Sequence, residues 1–114
     1  MTLRNTSRYE QGDVVVLELP FTDLVGSKLR PVVVINKEDL GNDLIVLKVT
    51  GTPGRFRIKL TQEDLVEGRL KKESYIDCSS IFTVNKGLIV KKVGKLGNEK
   101  VKDVLITIER IIGM

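Results

Sequence analysis

A change of hydrophobic period constrains this sequence more than any other feature. Up to about residue 93 the apolar residues come in short, β-branched runs; beyond residue 98 they switch to helical spacing. The runs are DVVVLEL (Asp13–Leu19), VVVIN (residues 32–36), and residues 44–50, 55–60, 74–79 and 88–93. Each has the length of a strand, and none reaches the ~10 to 12 residues expected of a helix. Turn chemistry separates them. Pro20 and Pro31 bracket a loop containing Gly26-Ser27, and Gly41-Asn42-Asp43, Gly51-Thr52-Pro53-Gly54 and Asn85-Lys86-Gly87 mark further turns. In residues 55–60, Arg55, Arg57 and Lys59 alternate with Phe56, Ile58 and Leu60, which predicts a half-buried strand with a basic outer face. Residues 61–67 read as a short helix, with Thr61 as N-cap, acids in the first turn and Gly68 at the end. Val101, Val104, Leu105, Ile108, Ile111 and Ile112 form the stripe of an amphipathic helix of about three to four turns, with Asn98 as N-cap. The expected fold is mainly β: a small barrel or closed sheet carrying a short internal helix and an amphipathic C-terminal helix. That last helix must bury its stripe on the barrel or against a second copy of the chain.

The chain of 114 residues suits one domain, expected over residues 12–114 behind a polar arm of residues 1–11. It is long enough to bury a core without disulfide or metal staples. Histidine is absent, which excludes a Ser-His-Asp triad, a two-histidine ribonuclease site and any His-ligated metal. Cys78 is the only cysteine, so intrachain disulfides, CxxC redox pairs and cysteine zinc sites are excluded as well. No apolar run approaches the ~18 residues of a membrane span, and the first residues lack the apolar core of a signal peptide, so a cytoplasmic protein away from membranes is expected. The net charge of +4 favours a polyanionic partner, although surplus lysine also serves solubility.

Any chemistry must therefore use Arg, Lys, carboxylates, hydroxyls or one thiol. The segment between the first two strands is the most informative. Arg30 sits where loop becomes strand, beside Asp23, Ser27 and Lys28. A planar, always-charged guanidinium matches a phosphate bidentately; the alternative is a surface ion pair with Asp23 or Asp13, worth little. Arg55, Arg57 and Lys59 either track a nucleic-acid backbone or form a solvated strand face. Phe21 and Phe82 read as core residues first and base-stacking residues second, and Cys78 as a small buried hydrophobe.

In order along the chain, GD-x-V, PFTD and GSK-x-RPVVVI are followed by LIVLKVTG, RIKLTQEDL, IFTVNKGLI and VKKVGKL before the final helix. This ordered set, from about Gly12 to the end, strongly resembles the MazF/PemK/Kid family of toxin endoribonucleases. The resemblance implies an SH3-like small barrel of the CcdB/MazF kind, a homodimer, and an acidic, small antitoxin as partner. It implies cleavage of single-stranded RNA without metal or cofactor: a 2′-hydroxyl attacks the adjacent phosphate, leaving a 2′,3′-cyclic phosphate and a 5′-hydroxyl. Such a reaction needs a base, an acid and positive charge on the phosphorane oxygens.

Carried over by position, Arg30 matches the family arginine of the Arg-Pro step, and Thr50 the threonine that ends the following strand. Ser27 and Lys28 match the loop that lines the RNA groove, with Arg55 and Arg57 as further RNA contacts. The chain departs from the family around residues 75–83. Some members place an Arg-x-Asp pair or a glutamate there; this chain has Asp77-Cys78-Ser79, and Phe82 where many carry arginine. Asp77 and Ser79, two apart and expected on one strand face, are the candidates for proton transfer. Two other readings share the fold: a MazF-like module that binds nucleic acid or a partner without cleaving, and a CcdB-like gyrase poison.

Overall fold

The two edges of the sheet are consecutive in sequence, and this dictates the shape of the molecule. The structure, a computed structural model, describes residues 8–19 and 28–113. Its strands are β1 (Asp13–Leu19), β2 (Lys28–Val34), β3 (Asp43–Thr50), β4 (Arg57–Leu60), β5 (Leu65–Gly68), β6 (Ser74–Asn85) and β7 (Ile89–Leu96), followed by the helix α1 (Asn98–Ile112). They form one antiparallel sheet in the order β4-β6-β3-β2-β1-β7-β5. Laid flat, seven strands at ~4.8 Å would hold β4 and β5 about 29 Å apart. The four residues from Thr61 to Asp64 that join them span at most about 17 Å. The sheet must curl, and it forms the expected small barrel as a half-barrel with short edges.

The join is a single 3-10 turn, Gln62–Asp64, not the helix expected over residues 61–67. The capping chemistry is present: the Asp64 carboxylate accepts from the Thr61 N–H at 2.8 Å and its hydroxyl at 3.2 Å. Only one turn forms, because residues from Leu65 onward gain more by pairing with β7. Gly68 adopts φ +90° there, and a Cβ would lie 2.1 Å from the Val93 carbonyl oxygen, so this close approach requires glycine.

Other boundaries shift for similar reasons. The second strand starts at Lys28 and runs through Pro31, rather than starting at Val32. β1 pairs with all of it from Lys28 to Val33, whereas β3 pairs only with Val32 to Val34. Pro31 has no N–H to give, and the β2–β3 ladder begins one residue beyond it. Gly97, not Asn98, is the N-cap of α1.

Alternation divides the strands into two apolar layers. One packs under the helix and contains Val14, Val33, Leu47, Val49, Leu60, Ile76, Cys78 and Leu96 with Val104 and Ile108 of α1. The other fills the opposite face and contains Val15, Leu17, Val32, Val34, Leu44, Val46 and Val84, with Tyr9, Phe82 and Ile89 against it. Burying each such Leu, Ile or Val stabilises by about 1.5 to 3 kcal/mol. Among the described residues no helix is long and apolar enough to cross a membrane.

Candidate nucleic-acid interface

On the face away from the helix, the apolar layer covers only part of the sheet. Arg30 has the strand parity of Val32 and Val34, Lys48 and Thr50 that of Leu44 and Val46, and all four of those valines and leucine lie in that layer. On β6 and β4, Ile58, Leu60, Ile76 and Cys78 face the helix side, which turns Tyr75, Asp77, Arg57 and Lys59 to the other. The face thus continues as two polar rungs. One sets Lys59 opposite Tyr75 and Tyr75 opposite Thr50; continuing the β2–β3 register by two residues sets Arg30 beyond Thr50. The next rung runs Arg57, Asp77, Lys48, Val32. Pro31 ends the ladder between β2 and β3 at the position where Arg30 and Thr50 lie side by side.

Arg30 and Thr50 are each half-buried. Arg30 stands within β2, not at a loop entry, and Asp13 is not its partner. The Asp13 carboxylate is fully buried and accepts from Lys92 at 3.2 Å, Lys95 at 3.3 Å and the Glu10 N–H at 2.8 Å. Lys92 and Lys95 are held there, and their carboxylate partners raise both pKa values against the opposing effect of burial. Among the described residues neither Arg30 nor Lys48 forms an ion pair. Lys48 was missed by sequence reading; its place in a β run with the parity of Thr50 was the available signal.

Asp77 sits at the centre of a hydrogen-bond network. It is 4% exposed. Its Oδ1 accepts from the Ser79 N–H at 3.0 Å and the Ser79 hydroxyl at 2.7 Å, and its Oδ2 from the Ser80 hydroxyl at 2.9 Å and Arg57 Nε at 3.3 Å. Burial opposes ionisation, but the serine hydroxyls, the N–H and Arg57 outweigh it and hold the carboxyl below the usual carboxylate range. Four donors thus converge on its two oxygens. The carboxylate braces a bulge: between Leu47↔Ile81 and Lys48↔Asp77, residues 78–80 of β6 have no partners on β3, and the Ser79 and Ser80 hydroxyls turn onto the Asp77 carboxylate there. The Cys78 N–H bonds instead to the Phe56 carbonyl at 3.0 Å.

Arg57 is drawn into the same brace. Its Nη1 donates to the Thr52 carbonyl and hydroxyl, both at 3.0 Å. Arg55 lies outside the strand, because Phe56 takes φ 63° in the turn before β4; its guanidinium lies 4.7 Å from the Phe56 ring centre. The expected basic stripe of Arg55, Arg57 and Lys59 is therefore broken, with Lys59 tied to Glu73 at 3.3 Å. Ser27 and Phe21 fall outside the described residues, and Lys28 opens β2. Phe82 packs on the core layer. Cys78 is fully buried, and burial, with Asp77 adding, pushes its thiol up to about 11. The described residues contain no group of three or more His, Cys, Asp or Glu able to hold a metal ion.

Comparison with known proteins agrees with this architecture. The structure is similar to that of an endoribonuclease in complex with its cognate antitoxin from a mycobacterial species, with a TM-score of 0.72 and 13% identity over 93% of this chain and 94% of the other. It is similar to the toxin MazF-mt6 of Mycobacterium tuberculosis, with a TM-score of 0.69 and 18% identity over 88% and 95% of the two chains. MazE-MazF of Deinococcus radiodurans gives a TM-score of 0.74 and 15% identity over 93% and 97%. No curated protein sequence matches. The family profile, however, matches residues 10–112, nearly all of the sequence, and the chain belongs to the PemK-like, MazF-like toxins of type II toxin-antitoxin systems.

Proposed function

We propose that the chain is the toxin of such a pair and cleaves single-stranded RNA by attack of a 2′-hydroxyl on its neighbouring phosphate, with no metal taking part. The observation that carries this reading is Arg30 beside Thr50 at the interrupted β2–β3 ladder, on a face that also presents Lys48. A guanidinium there stabilises the dianionic phosphorane, and the Thr50 hydroxyl orients a phosphate oxygen. Lys48, about 7 Å along β3 from Thr50, holds the adjoining backbone. Asp77 positions the β6 bulge and takes no proton from substrate. The structural likeness to an endoribonuclease bound to its antitoxin supports an antitoxin partner here. Exposed Leu105, Ile106 and Ile112 on α1 support a homodimer. The arm and barrel, residues 1–11 and 12–114, act as one cytoplasmic unit.

The test is cleavage of a mixed-sequence single-stranded RNA in EDTA. Arg30→Ala is expected to slow it by about 10²- to 10³-fold, the scale for loss of one transition-state contact. Arg30→Lys restores it only in part. RNA with a 2′-deoxy group at the cut site must resist; cutting at an unchanged rate would reject this chemistry. One observation favours a second reading, a module that binds RNA without cleaving it: the carboxylate on this face is already occupied by four donors. Salt-dependent RNA binding with no new ends would establish that reading instead.

A further inference from the structure

We propose that Tyr75 is the platform on which an RNA base stacks beside the phosphate held at Arg30 and Thr50, so that it contributes to base preference; this rests on the RNA reading above. The sequence has five aromatic residues, Tyr9, Phe21, Phe56, Tyr75 and Phe82. Tyr9 and Phe82 pack against the second core layer, and Phe56 lies beneath Arg55. Among the described residues, Tyr75 is the aromatic side chain engaged in neither core layer and in no cation–π contact. Its phenol has no hydrogen-bond partner among them either, although a half-buried tyrosine normally finds one.

Its place in the sheet matches the geometry of a nucleotide. Tyr75 pairs directly with Thr50 and with Lys59. It therefore stands about 5 Å from Thr50 and about 10 Å from Arg30 along the rung. A phosphate at Arg30 and Thr50 places an attached base one strand further on, over Tyr75, with Lys59, whose exposed ion pair with Glu73 is worth little, on the far side for the next backbone charge. Single-stranded RNA is read in this manner, with unstacked bases laid on aromatic side chains between basic backbone contacts.

Tyrosine fluorescence tests this directly, because the chain has no tryptophan and only two tyrosines. In Tyr9→Phe, Tyr75 is the sole emitter. Titration with a labelled, uncleavable 2′-O-methyl oligonucleotide of mixed sequence is expected to quench that emission in step with binding followed by anisotropy of the label. Tyr75→Leu should lower affinity by about 5- to 150-fold, the range for one base–aromatic stack. Tyr75→Phe should stay within about twofold of the parent, since the ring carries the contact. Thermal unfolding of both variants serves as the check on folding. Binding without quenching, or equal losses in Tyr75→Phe and Tyr75→Leu, would overturn the proposal while leaving RNA binding intact. Absence of binding by the unaltered chain would overturn the RNA reading itself and this one with it.

Discussion

The two faces of the curled sheet use the same strands for opposite purposes. Under α1 the side chains close into a dry layer in which Leu47, Leu60 and Ile76 are fully buried. On the other face the dry layer stops at Val32 and Val46, and the next residues along the same strands are Arg30, Lys48 and Thr50. The difference is extent: α1 covers one face, while on the other the curl of the sheet buries only the layer of Val15, Leu17, Val32, Val34, Leu44 and Val46. Within either buried layer, alternation is filled with Leu, Ile and Val; beyond the second layer, the same strand parity presents cations and a hydroxyl. Asp77 is the exception, a residue of the open face that behaves like one of the core.

Substitutions that act on one face only would sharpen this division. The largest effect is expected on the helix side. Leu47→Ala should cost about 2 to 5 kcal/mol in urea unfolding, from lost burial and the cavity left behind, with RNA affinity of the folded protein unchanged. A parallel fall in intrinsic affinity would show that the faces are coupled.

Asp77→Asn crosses the division, and about 1.5 to 3 kcal/mol of stability is expected to be lost with it. The pH dependence identifies the cause. A carboxyl held low in the folded state binds fewer protons there than in the unfolded chain, whose Asp titrates near 3.9. Its stabilisation is therefore complete above about pH 4 and disappears as pH falls through the lowered folded value. The gap between parent and variant should narrow on acidification from pH 6 to 3; a constant gap would mean that charge is not what matters.

Lys48→Ala belongs wholly to the open face. It should change stability by no more than about 0.5 kcal/mol. It should also lower the slope of log affinity against log salt by about one phosphate contact in single-stranded RNA binding. An unchanged slope would remove Lys48 from the interface. Cys78 gives the smallest response. With its thiol pushed up to about 11 and out of solvent, native protein at pH 8 should not react with iodoacetamide, while protein in urea should.

The fold was legible in the sequence wherever a residue's neighbours in the chain decide its state. DVVVLEL, the turn residues and the stripe of α1 announced themselves through period. The helix expected at residues 61–67 failed because pairing with β7, some thirty residues away, outweighed a good local cap. Arg30 and Thr50 were nameable from ordered motifs, but their adjacency depends on a register that only tertiary structure supplies. The spacing of Asp77 and Ser79 did bring their side chains together, at 2.7 Å, but the bulge after Asp77, which also adds Ser80 to the carboxylate, has no signal in the sequence. Lys48 lies within LIVLKVTG without being singled out by it, and Tyr75 lies outside the quoted motifs, so only the completed rungs set both beside Arg30 and Thr50.

The interior position of β1 also has a kinetic consequence. Its partner on one side, β2, is nearby in the chain, but on the other side it waits for β7; Asp13 meets Lys95 across 82 residues. Contacts of such span raise the entropic barrier to folding and slow it. Until β7 docks, β1 is a bare edge and a buried-to-be carboxylate is still in water. Closure of the sheet and pairing of the Asp13 carboxylate with Lys92 and Lys95 of β7 therefore come together.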